Sequence, residues 1–312
     1  MKAIQISQFG SNDALTYTEL AKPELNSGEV LIKNKAAGVN PIDWKTCSGG
    51  GAAPFIGELP FTPGWELSGV VEAVADDVAD LQVGDRVLGM LRFPERAGCY
   101  AEYVAAPASE LAICPDQLDL TTAGGLSLAG LTAWQALFNK GNLQAGQRVL
   151  ITAAAGGVGH LAVQLAKWKG AEVIATASEH NHDYLHQLGA DLCIDYNTGP
   201  LADHVQSVDL ILDGIGGDSG EASLACLADH GVLVTLPSVT KDQLIAAGQA
   251  QGKRVEPIRV EANGRQLAEL AQLCAAGKVK LEVALTLPME QVQQAFEHSA
   301  KGHTRGKIIL TV

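Results

Sequence analysis

The residues best placed to do chemistry lie in one short stretch. Val149 to Gly159 reads V-L-I-T-A-A-A-G-G-V-G, and Ala162 to Trp168 continues as A-V-Q-L-A-K-W. An apolar strand therefore runs into a turn of small residues and then an amphipathic helix. Such a turn leaves several backbone N–H groups without partners, and the helix dipole adds positive potential beside them. This is a site for a pyrophosphate. Ala154, Gly156 and Gly159 follow the G-x-G-x-x-G spacing, with alanine at its first position. A second strand, Glu172 to Ala177, follows where a β-α-β unit requires one. The chemistry expected is that of a bound dinucleotide.

The elements that must position this turn fall into three zones. Residues 1–117 hold short apolar runs broken by turn residues, such as E-V-L-I-K-N-K after Gly28 and R-V-L-G-M after Asp85. That spacing is an all-β signature. Residues 118–258 alternate strand and helix patterns, with strands expected at Val149–Thr152, Val173–Ala177, Leu192–Ile194, Leu210–Asp213, Val232–Leu236 and Val255–Ile258. The alternation predicts a doubly wound parallel sheet. Residues 259–312 return to mixed helix and strand and end in K-I-I-L-T-V. L-Q-V-G-D-R-V-L from Leu81 nearly recurs as L-Q-A-G-Q-R-V-L from Leu143, which reads as two similar turns opening onto strands.

Composition limits the partners. The chain has 312 residues, 22 basic against 35 acidic, for a net charge of −13. An acidic surface repels phosphate backbones and anionic lipids, so nucleic acid and membrane partners are disfavoured. The N-terminal apolar stretch is too short for a secretory signal, and a cytoplasmic location is the expectation. Six cysteines lie far apart with no C-x-x-C pair, which suggests neither a disulfide framework nor a four-cysteine zinc site.

Taken together, the chain resembles the medium-chain dehydrogenase/reductase superfamily. The carrying segments are A-A-G-V-N-P-I-D-W-K from Ala36, P-F-T-P-G-W-E-L-S-G-V-V from Pro60, L-A-G-L-T-A-W from Leu128 and A-A-A-G-G-V-G from Ala153, with D-G-I-G-G at Asp213 and R-G-K-I-I-L at Arg305. It is most similar to the zinc-independent quinone oxidoreductase branch, near the enone and alkenal reductases. The resemblance implies an α/β fold: a GroES-like β domain from 1–117 completed by 259–312, and a Rossmann domain inserted at 118–258. It also implies reaction in the cleft between domains and a homodimer joined through the nucleotide domains.

The resemblance also assigns residues. Zinc-dependent relatives carry cysteine in G-V-C and histidine in G-H-E; here Asn40 and Trp65 stand there, and neither an amide nor an indole is a useful zinc ligand. No metal is expected. Ala177 replaces the acid that would bind the ribose of NAD. Ser178 offers a hydroxyl to a 2′-phosphate, and His182 stands where NADPH-dependent relatives carry lysine; Glu179 is a contrary sign. NADPH is therefore the expected cofactor, held by Asn40, Thr132, Ala155, Gly156, Gly157, Val158, Ser178, His182 and Tyr196. For the chemistry the candidates are Asn40, Asp43 and Lys45. Asn40 could bond the cofactor or the substrate carbonyl. Asp43 also reads as the cap of a helical first turn. Lys45 could polarise a carbonyl or protonate an enolate, or be a surface lysine. The expected activity is NADPH-dependent reduction of a quinone or α,β-unsaturated carbonyl. The alternatives are a zinc-independent alcohol or carbonyl dehydrogenase, or an NADPH-binding sensor with little turnover.

Overall fold

A computed structural model describes residues 1–10 and 14–312 and divides them into two units. Unit 1 comprises Met1–Leu131, Glu261–Gly277 and Leu281–Val312; unit 2 comprises Thr132–Val260 and Lys278–Lys280.

Unit 1 opens with the antiparallel ribbon β1 (Lys2–Ile6) and β2 (Leu15–Glu19). Its main sheet uses β3 (Glu29–Val39), β4 (Glu66–Val74), β5 (Arg86–Met90), β6 (Tyr103–Pro107) and β7 (Leu111–Ile113). β3 is the hub, because its apolar run is buried almost throughout and pairs with β4 and β6. Between β3 and β4 lie α1 (Pro41–Cys47) and the single turn α2 (Ala53–Ile56). Pro41 suits the first position of α1, where its missing N–H costs nothing. After β7 come α3 (Leu120–Ala123) and α4 (Ser127–Trp134), and the chain passes to unit 2 within α4.

Unit 2 contains β8 (Arg148–Ile151), α5 (Gly159–Lys169), β9 (Glu172–Thr176), α6 (His182–Gln187), β10 (Leu192–Ile194), β11 (Val208–Asp213), α7 (Gly217–Ser223), β12 (Leu227–Thr235), α8 (Lys241–Ala250) and β13 (Arg254–Pro257). The six strands are parallel in the order β10-β9-β8-β11-β12-β13. This is the doubly wound arrangement, whose order reverses between β8 and β11. Leu150, Ile174, Ile211, Leu224, Leu233 and Leu244 form the core on one face of the sheet. The repeated phrases do open onto strands: Gly84 precedes β5 and Gly146 precedes β8, both with left-handed backbone.

The chain then returns to unit 1 through α9 (Gly264–Ala275), β14 (Val283–Pro288), α10 (Val292–Ala300) and β15 (Lys307–Thr311). β15 runs antiparallel to β3, with Ile308 opposite Val39, and parallel to β14. The division into units differs from the sequence reading, and the return to unit 1 comes at Val260/Glu261 where 258/259 was expected. The first boundary moves from 117/118 to Leu131/Thr132, because α3 packs on β3 and β4 and stays with unit 1. Within the returning segment, Lys278–Lys280 belongs to unit 2, because Gln164 of α5 exchanges hydrogen bonds of 2.9 and 2.8 Å with Lys280. No helix among the described residues is long and apolar enough to cross a membrane.

Candidate active site

In unit 2 the small-residue turn leaves the carboxyl end of β8. Ala153 holds a left-handed backbone, φ +50°, which an alanine adopts at a cost of about 1–2 kcal/mol. Its N-terminal strand and the start of α5 are thereby brought close together. Gly159 is required by that approach: a Cβ there would lie 2.4 Å from the Ala153 carbonyl oxygen. Among the described residues, the N–H groups of Ala155, Gly157 and Val158 have no protein acceptor. Unpaired donors at the start of an eleven-residue helix fit a pyrophosphate.

Two sequence candidates meet beyond β9. Ser178 Oγ lies 2.9 Å from the Tyr196 hydroxyl, although the residues are 18 apart in sequence. Tyr196 is 57% exposed, so the hydroxyl pair is accessible. Ala177 is buried and presents no acid. His182 is not part of this pair. Its Nε2 lies 3.2 Å from the Ala177 carbonyl, and the residue lines a 340 Å³ cavity with Glu179, Cys193, Asp195 and His204. Thr132 lies buried in α4.

Asp213 has a role that sequence reasoning missed. It is fully buried at the end of β11, and its Oδ1 accepts the N–H groups of Ile215 and Gly216 at 3.1 and 3.0 Å. Oδ2 accepts Thr235 Oγ1 at 2.8 Å. The D-G-I-G-G turn is thus folded around a carboxylate, next to the β8 turn at the point where strand order reverses. Aspartate before glycines at a strand end was the available signal.

In unit 1 the candidate residues gather at the start of α1. The Asn40 N–H donates to Asp43 Oδ2 at 2.6 Å, and Tyr100 OH donates to the same oxygen at 2.7 Å. Asp43 is fully buried, and its Oδ1 has no partner. Burial pushes its carboxyl up to about 7, against the bonds from Tyr100 and Asn40 and the charge of Lys307, which pull it down. In this geometry Asp43 caps the first turn of α1, and its side chain is wholly buried. Lys45 is exposed on α1, with Nζ 5.4 Å from the centre of the Trp44 ring. Trp44 is tied by its indole N–H to Ser299 Oγ at 3.2 Å.

Asn40 is 3% exposed. Its Nδ2 donates to Glu66 Oε1 at 2.7 Å, and its Oδ1 accepts from the Lys307 ammonium. Lys307 also donates to Glu66 Oε1 at 2.8 Å, and Glu66 Oε2 accepts the Leu128 N–H at 2.8 Å. Sequence reasoning assigned no role to Glu66 or Lys307, although both lie in the quoted motifs. Gly38 makes the cluster possible, since a Cβ there would sit 2.1 Å from Glu66 Oε1. Trp65 is packed edge-on against Phe93, and its indole N–H donates to Glu95 O at 2.6 Å.

The alcohol dehydrogenase GroES-like domain family matches residues 26–116, and the zinc-binding dehydrogenase family matches residues 188–310. The chain is 34% identical to the chloroplastic NADPH-dependent alkenal/one oxidoreductase of Arabidopsis thaliana, over 99% of this chain and 79% of that protein. Its structure is similar to a quinone oxidoreductase from Coxiella burnetii with a TM-score of 0.96 and 38% identity, covering 100% and 99% of the two chains. A mycobacterial protein solved with NADPH matches with a TM-score of 0.85 and 31% identity, over 100% of both chains. The chain belongs to the medium-chain dehydrogenase/reductase superfamily, in its quinone oxidoreductase-like branch. Within that branch it is an oxidoreductase with a GroES-like domain and a Rossmann-type sheet.

Proposed function

We propose that this oxidoreductase is an NADPH-dependent, zinc-free reductase of quinones or α,β-unsaturated carbonyls. The observation that carries the cofactor choice is the Ser178–Tyr196 hydroxyl pair beyond β9, with Ala177 standing in the place of the acid that would claim a ribose 2′-OH. Two hydroxyls can each donate to a 2′-phosphate, and charge-assisted hydrogen bonds are the stronger kind. The relatives named for NADPH support the same reading. The unpaired N–H groups of Ala155, Gly157 and Val158 would hold the pyrophosphate. NADPH supplies a hydride when bound.

The donor set supports chemistry without zinc. Asn40 is already committed to an ammonium and a carboxylate, and Trp65 is packed with its N–H engaged. Oxidising an alcohol calls for stabilisation of an alkoxide, which a Lewis acid provides. Reducing a quinone or enone asks less of the protein. Hydride arriving at the β-carbon of an enone leaves negative charge on the carbonyl oxygen. The Lys45 ammonium can attract that oxygen and deliver a proton, and the Asn40 amide can donate to the cofactor or the carbonyl.

The test is NADPH and NADH oxidation against 1,4-benzoquinone, an alkenal, a cyclic enone and a primary alcohol. The expected result is turnover with the first three acceptors, none with the alcohol, and NADPH preferred by about 10- to 100-fold. Equal use of NADH, or turnover confined to the alcohol and its aldehyde, would refute the proposal. Tight NADPH binding with no turnover on any acceptor would make the protein a sensor.

A further inference from the structure

Lys307 belongs to R-G-K-I-I-L, and hydride transfer as described gives it no task. It opens the last strand, β15, and the pairing of Ile308 with Val39 sets it across from Asn40. The residue is 3% exposed. Its ammonium donates to Val39 O at 3.2 Å, to Glu66 Oε1 at 2.8 Å and to Asn40 Oδ1. An ammonium has three N–H donors, so it is fully used. Glu66, wholly buried, faces this cation, the Asn40 amide and the first turn of α4.

The consequence falls on Asn40. The two ends of a carboxamide have nearly the same shape and differ mainly in hydrogen bonding. Here the oxygen end meets a cation and the nitrogen end meets a carboxylate. Turning the amide over would set N–H groups against the ammonium and oxygen against the carboxylate, and both contacts are strongly unfavourable away from water. One orientation is therefore imposed. One N–H goes to Glu66, and the direction of the second follows from it.

We propose that Lys307 is a positioning residue for hydride transfer. With Glu66 it holds the Asn40 amide in one orientation, so that the second N–H is aimed before cofactor or substrate arrives. The inference rests on the reductase reading, in which Asn40 is a donor at the reacting centre. Lys307 acts only through Asn40.

The test compares Lys307→Met, Lys307→Arg and Asn40→Ala, with the Lys307→Met/Asn40→Ala pair closing a double-mutant cycle. Kinetics are read with saturating NADPH and the acceptor the wild type reduces fastest. Lys307→Met should lower kcat by about 10- to 100-fold, as loss of alignment does, with KM and NADPH affinity within about threefold of wild type. Lys307→Arg keeps a cation with donors and should recover most of the loss. In the Asn40→Ala background, Lys307→Met should cost no more than about twofold further, because residues acting as one unit are not additive.

Lys307→Met leaves Glu66 as an uncompensated buried carboxylate and can impair folding. The Lys307→Met/Glu66→Gln pair removes both charges. It should regain the wild-type melting temperature without regaining kcat. Amide exchange over residues 36–46, measured without cofactor, should rise about tenfold or more in that pair. Unchanged exchange, additive losses in the cycle, or kcat recovered together with melting temperature would each overturn the proposal. A wild type that reduces no acceptor would instead refute the reductase reading, and the exchange measurement alone would then decide the role of Lys307.

Discussion

Asp43→Asn isolates the electrostatics of the α1 cap. The wild-type carboxyl is fully buried, and burial raises it from its ordinary 3.8 to about 7. The native state therefore keeps this proton up to about pH 7, whereas the unfolded chain releases it near pH 3.8. Across that window the native state binds more protons, so stability falls as pH rises. The contribution is complete below the unfolded value and gone above the folded one. At about 1.4 kcal/mol for each tenfold in acidity, the whole effect is about 4 kcal/mol, of which about 3 kcal/mol falls between pH 5 and pH 8. The variant does not titrate. Its amide oxygen can still accept from the Asn40 N–H and Tyr100 OH, while its NH2 takes the place of an oxygen that has no partner. The protonated wild-type carboxyl has an unpaired O–H at that same position, so the two proteins should be about equally stable at pH 5. The variant does not lose stability as pH rises and should be the more stable protein by about 3 kcal/mol at pH 8. Urea unfolding followed by tryptophan fluorescence measures this at several pH values; Trp44 and Trp65 report from unit 1, which holds Asp43, and Trp134 and Trp168 from unit 2. A wild-type-minus-variant difference constant to within about 0.5 kcal/mol from pH 5 to pH 8 would refute the reasoning.

Three further predictions follow from the two sites. Lys45→Ala should lower enone turnover by roughly 10²- to 10⁴-fold, the usual effect of losing a general acid, with quinone reduction nearly unchanged; steady-state kinetics on both acceptors decides it. Ser178→Ala and Tyr196→Phe should each weaken NADPH binding by about tenfold and leave NADH binding unchanged, read by fluorescence titration. Gly159→Ala should abolish measurable affinity for either nucleotide, since its Cβ would press 2.4 Å from Ala153 O and 2.7 Å from Ala154 Cα; isothermal titration with both cofactors tests this.

The nucleotide unit was largely legible along the chain. Strands expected at Val149–Thr152, Leu192–Ile194 and Leu210–Asp213 correspond to Arg148–Ile151, Leu192–Ile194 and Val208–Asp213. Parallel strands covered on both faces are continuous apolar runs, and glycine turns mark where they stop. Unit 1 was less so. Its short strands announced a β domain, but nothing local says that β3 pairs with β4, β6 and β15. The boundary misplacement has the same origin: α3 has no periodicity that assigns it to either unit, and only its packing on β3 and β4 does.

Sequence by itself therefore determined what depends on neighbours along the chain: the turn between β8 and α5, the absence of an acid at Ala177, the first turn of α1, and the amide and indole at Asn40 and Trp65. Tertiary structure decided which side chains meet. Glu66 and Lys307 are separated by 241 residues, Asp43 and Tyr100 by 57. A lysine opening a strand ordinarily reaches solvent. Lys307 is buried because the register of β15 against β3 places it opposite Asn40, where a carboxylate and two other oxygens take the place of water. Burial then gives these groups their strength, since the same contacts at a surface would be weakened by water.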